Sequence, residues 1–189
     1  KIPGTYNVSN AMASVVASLL AGLSFEDISQ SISTFSGMKR RFEYLGDYKQ
    51  SKLYDDYAHH PTEVKETLAA AKEVVSSNGK GRVIAVFQPH RYSRLSNLWD
   101  EFRVAFSNAD VVYVTEVFAA SEKPIEKINS VHFTESLLHP NAICILGDIE
   151  SIAEKLPSEL HPNDLVITLG AGDITNLGRL IVEKNRELS

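Results

Sequence analysis

The sequence predicts an α/β fold: an open, mostly parallel, doubly wound sheet with helices on both faces, preceded by a short helical segment. Three observations carry that prediction. Short apolar runs at Val83–Phe87, Val111–Val114, Ile143–Leu146 and Leu165–Leu169 read as strands buried on both faces. Helical segments near Ser93–Phe106, Ile149–Leu156 and Ile174–Glu187 fall between or after them, and such alternation favours parallel βαβ units. The residues before Gly37 read instead as two helices. The 189 residues suffice for one domain plus a piece of a second, and 43% hydrophobic content supplies a core.

In chain order, the first helix runs from Asn7 to about Ala21. The apolar stretch that overlaps it, Ala11–Leu23, is 13 residues long and broken by Ser14, Ser18 and Gly22. A membrane span needs roughly 20 apolar residues, and Lys1 alone is no basic n-region of a signal peptide, so the segment reads as a core helix. A second helix spans Phe25 to about Thr34, with Ser24 as N-cap, Glu26 and Asp27 in the first turn, and Phe25, Ile28 and Ile32 near helical spacing. After Phe35-Ser36-Gly37, strands at Phe42–Tyr48 and Leu53–Tyr57 flank the polar turn Lys49-Gln50-Ser51. Pro61 opens a helix to about Val75, with Val64, Leu68, Ala71 and Val75 on one stripe, and the turn Asn78-Gly79-Lys80-Gly81 comes next. The pattern divides the chain into residues 1–37 and 38–189.

Charge and cysteine usage narrow the function classes. Nineteen basic residues against 24 acidic ones give a net charge of −5. Without a basic block, that balance argues against a nucleic-acid or membrane-surface partner. The single Cys144 excludes an intrachain disulfide, suits a reducing cytoplasm and reads as core, and Trp99 reads as a packing residue.

In doubly wound sheets ligands sit beyond the carboxyl ends of the strands. One such end carries Asp55-Asp56-Tyr57-Ala58-His59-His60-Pro61-Thr62-Glu63. Helix-start chemistry accounts for His60 as cap, Pro61 at the first position and Glu63 near the dipole. It leaves Asp55, Asp56 and His59 without a role. A metal-dependent hydrolase using His59, His60 and Asp56 is an alternative, although adjacent histidines on an extended segment point opposite ways. A second end carries Gln88-Pro89-His90-Arg91-Tyr92-Ser93-Arg94, where His90, Arg91 and Arg94 form a cationic rim suited to carboxylate or phosphate. A third carries Gly170-Ala171-Gly172-Asp173, whose backbone N–H groups suit an anion. It is not a dinucleotide fingerprint, because Thr175 stands where the third Gly or Ala belongs. Met38-Lys39-Arg40-Arg41-Phe42 sets three cations at the boundary, and Asn7 and Asn10 share a helix face.

Taken together, these strings resemble the Mur ligases. Gly4-x-x-Asn7-x-x-Asn10-Ala11, Arg41-Phe42, the Asp-Asp-Tyr-Ala-His-His-Pro-Thr-Glu string, Gln88–Arg94 and Leu169–Ile174 occur in that family's order across essentially the whole chain. The likeness is strongest to the branch that joins L-alanine to UDP-N-acetylmuramate. The branch that recycles murein tripeptide shares the histidine string. Tyr6 departs from the His usual before the first Asn.

The resemblance implies the end of a central ATP-binding domain (1–37) and a C-terminal Rossmann-like ligase domain (38–189) of a longer, cytoplasmic bacterial enzyme. It implies ATP as co-substrate, with magnesium ligands in an upstream part along with the Gly-Lys-Thr loop, which this sequence does not contain. It places Asn7 and Asn10 at the adenine, Arg41 at the phosphates and Asp56 at the ribose hydroxyls, facing the crevice. Tyr57, His59, His90, Arg91 and Arg94 would receive the amino acid and acyl end, with Gly170 and Gly172 closing the pocket and Arg41, His59 and Arg91 closest to the chemistry. A non-catalytic nucleotide-binding module is the remaining alternative.

Overall fold

The structure, a computed structural model, describes residues 2–187. The outer ends of the two expected domains, residue 1 and residues 188–189, lie outside the described residues. Two helices come first, α1 (Thr5–Leu20) and α2 (Phe25–Thr34). Ser24 caps α2, its hydroxyl accepting from Asp27 N–H at 3.2 Å.

A six-stranded sheet comes after them, built from β1 (Glu43–Tyr48), β2 (Ser51–Asp56), β3 (Val83–Phe87), β4 (Val111–Val114), β5 (Ala142–Cys144) and β6 (Leu165–Leu169) in the spatial order β1-β2-β6-β3-β4-β5. Only the β1–β2 hairpin is antiparallel; the other neighbours pair in parallel. The helices between strands are α3 (Pro61–Ser77), α4 (Tyr92–Asn97), α5 (Trp99–Arg103), α6 (Ser130–Ser136) and α7 (Ile149–Lys155), with a 3₁₀ turn at Leu156–Glu159, and α8 (Thr175–Glu187) follows the last strand. This is the expected Rossmann-like, doubly wound architecture.

Side chains alternate across the sheet, so each strand feeds two cores. Val83, Ala85 and Phe87 face α3, α5 and α6, where Phe87 meets Phe102 at 5.3 Å and Phe106 at 5.2 Å between ring centroids. Ile84 and Val86 face α7 and α8 with Ile152, Leu177 and Ile181. The register levels the strand ends: Asp56 pairs with Leu169, Leu169 with Phe87, and Phe87 with Val114. The segments after β2, β3, β4 and β6 therefore emerge at one edge of the sheet.

Several sequence expectations are corrected here, and one helix is new. The helix expected over Ser93–Phe106 is two helices, because Leu98 (φ −116°, ψ 24°) breaks it. The strand expected at Ile143–Leu146 is Ala142–Cys144, on the sheet edge, and Cys144 is half-buried rather than core. The helix α6 carries no long apolar period, having seven residues, and went unread. The first helix is not a core helix among the described residues. None of its residues is buried, and Val8, Met12, Val16 and Leu20 are exposed. Its apolar surface runs round the whole helix, and α2 and the outer edge of the α3 core cover only part of it. No helix among the described residues is long and apolar enough to cross a membrane.

Candidate functional site

Beyond the level ends of β2, β3 and β6 lies a cleft of about 590 Å³ lined by Tyr57, His59, His90, Arg91, Arg94 and Ala171, among others. The five rim residues singled out from the sequence thus converge on one cavity. A chain of rings runs across it. Tyr57 meets His59 edge-on at 5.0 Å, His59 lies 6.3 Å from His90, and His90 stacks on Phe118 at 5.4 Å with 12° between planes.

The two imidazoles are held in opposite tautomers. His59 Nδ1 is 2.8 Å from the Tyr57 carbonyl, which only accepts, so Nδ1 carries the hydrogen and Nε2 is the basic nitrogen. Glu63 Oε2 lies 3.3 Å from the same Nδ1. His90 Nδ1 instead takes a hydrogen bond from Arg94 Nη1 at 3.1 Å, so its hydrogen sits on Nε2. Burial, then the Arg94, His59 and Arg91 charges, pushes the His90 pKa below its ordinary 6.5. His90 is accordingly neutral at pH 7, and the cleft's positive charge belongs to the arginines. The Arg91 side chain is 49% exposed, and its Nη1 lies 3.7 Å from Glu122 Oε1.

The adjacent carboxylates Asp55 and Asp56 point to opposite faces of β2 and do different work. Asp55 is fully buried toward α8. It accepts from Thr168 Oγ1 and Thr175 Oγ1, each at 2.7 Å, and from Arg40 Nε at 3.3 Å. Asp56 points toward α3 and is 2% exposed, each oxygen taking a backbone N–H at 2.8 Å, Phe42 on one and Ala58 on the other. Burial pushes its pKa up, while those two hydrogen bonds and Arg41 pull it down. The expectation that Asp56 faces the crevice is corrected: its carboxylate is spent on the backbone of the two segments that carry Arg41 and His59.

Arg40, not only Arg41, belongs to the site's frame. Its backbone is left-handed (φ 57°), its Nη2 donates to Gly170 O at 2.6 Å, and its guanidinium lies 4.7 Å above the Tyr57 ring. Arg41 is exposed, 6.0 Å above the same ring, and lines a second cavity of about 760 Å³ with Phe42, Tyr44, Tyr54 and Val74. Gly170 and Gly172 do not line the rim cleft. A Cβ at Gly172 would collide with Gln88 Oε1 and the Phe118 ring, so the glycine there serves close packing. Gln88 clamps this turn, donating to Asp173 Oδ1 at 2.6 Å and accepting from Ile174 N–H at 3.2 Å.

At the α3 start the helix-cap reading holds for His60, Pro61 and Glu63. His60 Nδ1 accepts from Thr62 N–H at 3.3 Å, and Glu63 Oε2 accepts from His60 N–H at 3.2 Å. Asn7 donates to Pro3 O at 2.7 Å and contacts the Tyr6 hydroxyl. Asn10 is exposed on α1. Neither lines the rim cleft. Among the described residues no group of three or more His, Cys, Asp or Glu is placed to hold a metal ion.

Residues 40–172 match the family described as Mur ligase, glutamate ligase domain. The chain belongs to the Mur ligase family. A protein of Desulforapulum autotrophicum named UDP-N-acetylmuramate–L-alanine ligase is 43% identical to this Mur ligase chain over 185 residues, covering 96% of it and 40% of the relative. Its namesake in Cutibacterium acnes is 43% identical over 188 residues, 96% of this chain and 38% of the relative. The crystal structure of UDP-N-acetylmuramate–alanine ligase from Thermotoga maritima superposes with a TM-score of 0.79 at 28% identity, over 100% of this chain and 39% of that one. A murein peptide ligase from Psychrobacter arcticus shares the fold, with a TM-score of 0.67 at 21% identity over 98% of this chain and 38% of that one. This Mur ligase chain therefore spans about 40% of the length of the curated relatives it matches.

Sequence reading missed Arg40, Gln88, Phe118 and Glu122. Gln88 and Arg40 stood in strings already singled out. Phe118, which stacks on His90, and Glu122, which accepts from Ser93, meet these rim residues only through the pairing of a distant loop with the His90 segment.

Proposed function

We propose that the chain is the C-terminal part of an ATP-dependent ligase that joins L-alanine to UDP-N-acetylmuramate in peptidoglycan synthesis, in the bacterial cytoplasm. In this reading residues 1–37 end the central ATP-binding domain, and residues 38–189 form the C-terminal ligase domain. The observation that carries it is the convergence of Tyr57, His59, His90, Arg91 and Arg94 on one cleft at the strand ends, in a chain 43% identical to proteins of that name.

The reaction has two steps. A carboxylate oxygen of UDP-N-acetylmuramate attacks the γ-phosphorus of ATP, giving an acyl phosphate and ADP. The amine of L-alanine then attacks the acyl carbon. The C–N bond forms, the C–O bond to phosphate breaks, and the amine loses a proton.

Positioning and charge neutralisation dominate such chemistry. Arg91 and Arg94 act as forks for the alanine carboxylate, and Arg94, already tied to His90, is the pre-oriented one of the pair. His59, whose Nδ1 is held by the Tyr57 carbonyl, takes the amine's proton at Nε2 in this reading. Arg41, exposed beyond the strand end, meets the phosphates. Asp56 contributes by fixing the backbone on either side, at Phe42 and Ala58, and Asn7 and Asn10 lie toward the adenine. Gly170 and Gly172 act through the packing of their turn rather than as cleft donors.

Magnesium, where bound, would neutralise phosphate charge. No part of the mechanism assigned to this chain depends on it.

The 189-residue chain alone is expected to bind ATP no tighter than roughly millimolar and to release no phosphate. It lacks the Gly-rich loop and lysine that cradle the phosphates: the one Gly-Lys pair, Gly79-Lys80, precedes Gly81 rather than Ser or Thr. Calorimetric titration with and without magnesium tests this. Micromolar, magnesium-dependent binding would place the phosphate site within this chain and overturn the reading.

A further inference from the structure

The two rim arginines belong to a short helix, Arg91 at its N-cap and Arg94 within it. Helix α4 has six residues, and its N-cap is Arg91, whose side chain makes no capping hydrogen bond. Arg91 is also left-handed, with φ 72°, a conformation costly for a long side chain and persistent only where the surroundings impose it.

The missing cap comes from 29 residues further along the chain. Glu122 Oε2 accepts from Ser93 N–H at 3.0 Å and Glu122 Oε1 from Ser93 Oγ at 2.6 Å. The Tyr92 N–H also points to this carboxylate, and Arg91 Nη1 lies 3.7 Å from Oε1. One carboxylate thus gathers donors from three consecutive residues, Arg91, Tyr92 and Ser93. The Ser93 hydroxyl holds the Glu122 carboxyl below the usual carboxylate range, so it stays ionised through neutral pH.

Glu122 is delivered by built geometry. Phe118 N–H donates to Pro89 O and Arg91 N–H to Phe118 O, each at 2.8 Å, so the loop after β4 runs beside the His90 segment as a short parallel bridge. Ala120 (φ 48°) and Ser121 (φ 70°) then turn the chain sharply, and Glu122 N–H closes that turn on Ala119 O at 3.0 Å. Two consecutive non-glycine residues in the left-handed region mark a loop shaped to aim the next side chain, that of Glu122.

We infer that Glu122 is a positioning residue for the cationic rim: by tying down the Arg91–Ser93 turn from another loop, it fixes where the Arg91 and Arg94 guanidiniums meet a carboxylate ligand. This rests on the rim reading proposed above. Leu95, buried on the other side of α4, anchors the helix to the core independently of Glu122. Losing the carboxylate therefore frees the turn and its arginines without removing the helix.

The test uses the complete ligase that contains this chain, with Glu122→Gln, Glu122→Ala, Ser93→Ala and, as reference, Arg91→Ala. Glutamine keeps one acceptor oxygen but neither the charge nor the second acceptor. The expected result is a fall in kcat/KM for L-alanine of about tenfold in Glu122→Gln and more in Glu122→Ala. Ser93→Ala should give a smaller fall of the same kind. The KM for ATP and the melting temperature should stay near the parent values.

If Arg91→Ala impairs alanine use while Glu122→Ala does not, the positioning role is overturned and the rim reading stands. If Arg91→Ala leaves alanine use untouched, the rim reading falls and the inference with it. If Glu122→Ala weakens all three substrates together and lowers the melting temperature, the residue is merely structural and the inference is overturned.

Discussion

Asp56→Ala lowers the melting temperature of the 189-residue chain by roughly 6–12 °C, the shift expected for a loss of about 3 kcal/mol in a domain of this size. The size of the effect comes from the contacts. Asp56 is 2% exposed, and each oxygen takes one backbone N–H at 2.8 Å. A hydrogen bond to a charged group contributes about 1.5–3 kcal/mol, and alanine removes two of them while leaving the Phe42 and Ala58 N–H groups buried without a partner. The loss is local in origin but wide in reach. Phe42 is left-handed (φ 49°) and comes directly after Arg41, and Ala58 N–H sits between Tyr57 and His59. Asn at this position keeps one acceptor oxygen and turns its amide nitrogen toward a backbone donor, so it should recover only part of the stability. Circular dichroism melting decides the matter. An unchanged melting temperature accompanied only by weaker ATP binding in the complete ligase would show that Asp56 acts on the nucleotide directly, as the family resemblance implied.

The largest expected effect on activity is at the rim. In the complete ligase, Arg91→Ala and Arg94→Ala should each lower kcat/KM for L-alanine by about two orders of magnitude, since truncating one partner of a hydrogen-bonded charge pair costs about 2–5 kcal/mol. The KM for ATP should change far less. The two variants differ in a second readout. Arg94 donates to His90 Nδ1 at 3.1 Å, and its charge is one of the influences that depress the His90 pKa. Arg94→Ala removes both effects, so His90 protonates more readily and any acid limb of the rate profile set by His90 moves to higher pH. In Arg91→Ala the hydrogen bond remains and that limb moves less. Steady-state kinetics over a pH series measures both. Alanine saturation untouched in both variants, with only the UDP-sugar affected, would put the alanine elsewhere.

Much of the scaffold was legible because burial writes itself into sequence. Val83–Phe87 and Leu165–Leu169 are continuous apolar runs, as strands covered on both faces must be, and both keep their predicted bounds. The α3 start was legible because Pro61, Glu63 and a polar cap have a fixed spacing. Strand order was not legible: nothing local says that β6, the last strand, inserts between β2 and β3. The break at Leu98 was invisible because Leu95, Phe102 and Phe106 keep near-helical spacing across it.

The site was legible by residue type and not by orientation. His90, Arg91 and Arg94 could be named from residue type at a strand end, and Tyr57 and His59 joined them through the family resemblance. The roles of Asp55, Asp56, Arg40 and Arg41 depend on which face each side chain takes, and neighbours on an extended segment take opposite faces. Glu122 left no local signal, because its partners Tyr92 and Ser93 reach it only through the bridge between Phe118 and His90.

The central claim is the reaction, and product analysis of the complete ligase tests it most directly. The enzyme is supplied with ATP, magnesium and UDP-N-acetylmuramate, together with either L-alanine or murein tripeptide. Nucleotide products are identified by mass spectrometry and ADP is quantified alongside. The account predicts UDP-N-acetylmuramoyl-L-alanine, one ADP for each amide formed, and preference for the amino acid over the peptide. Product with the tripeptide alone, or ATP consumption without an amide, would contradict it.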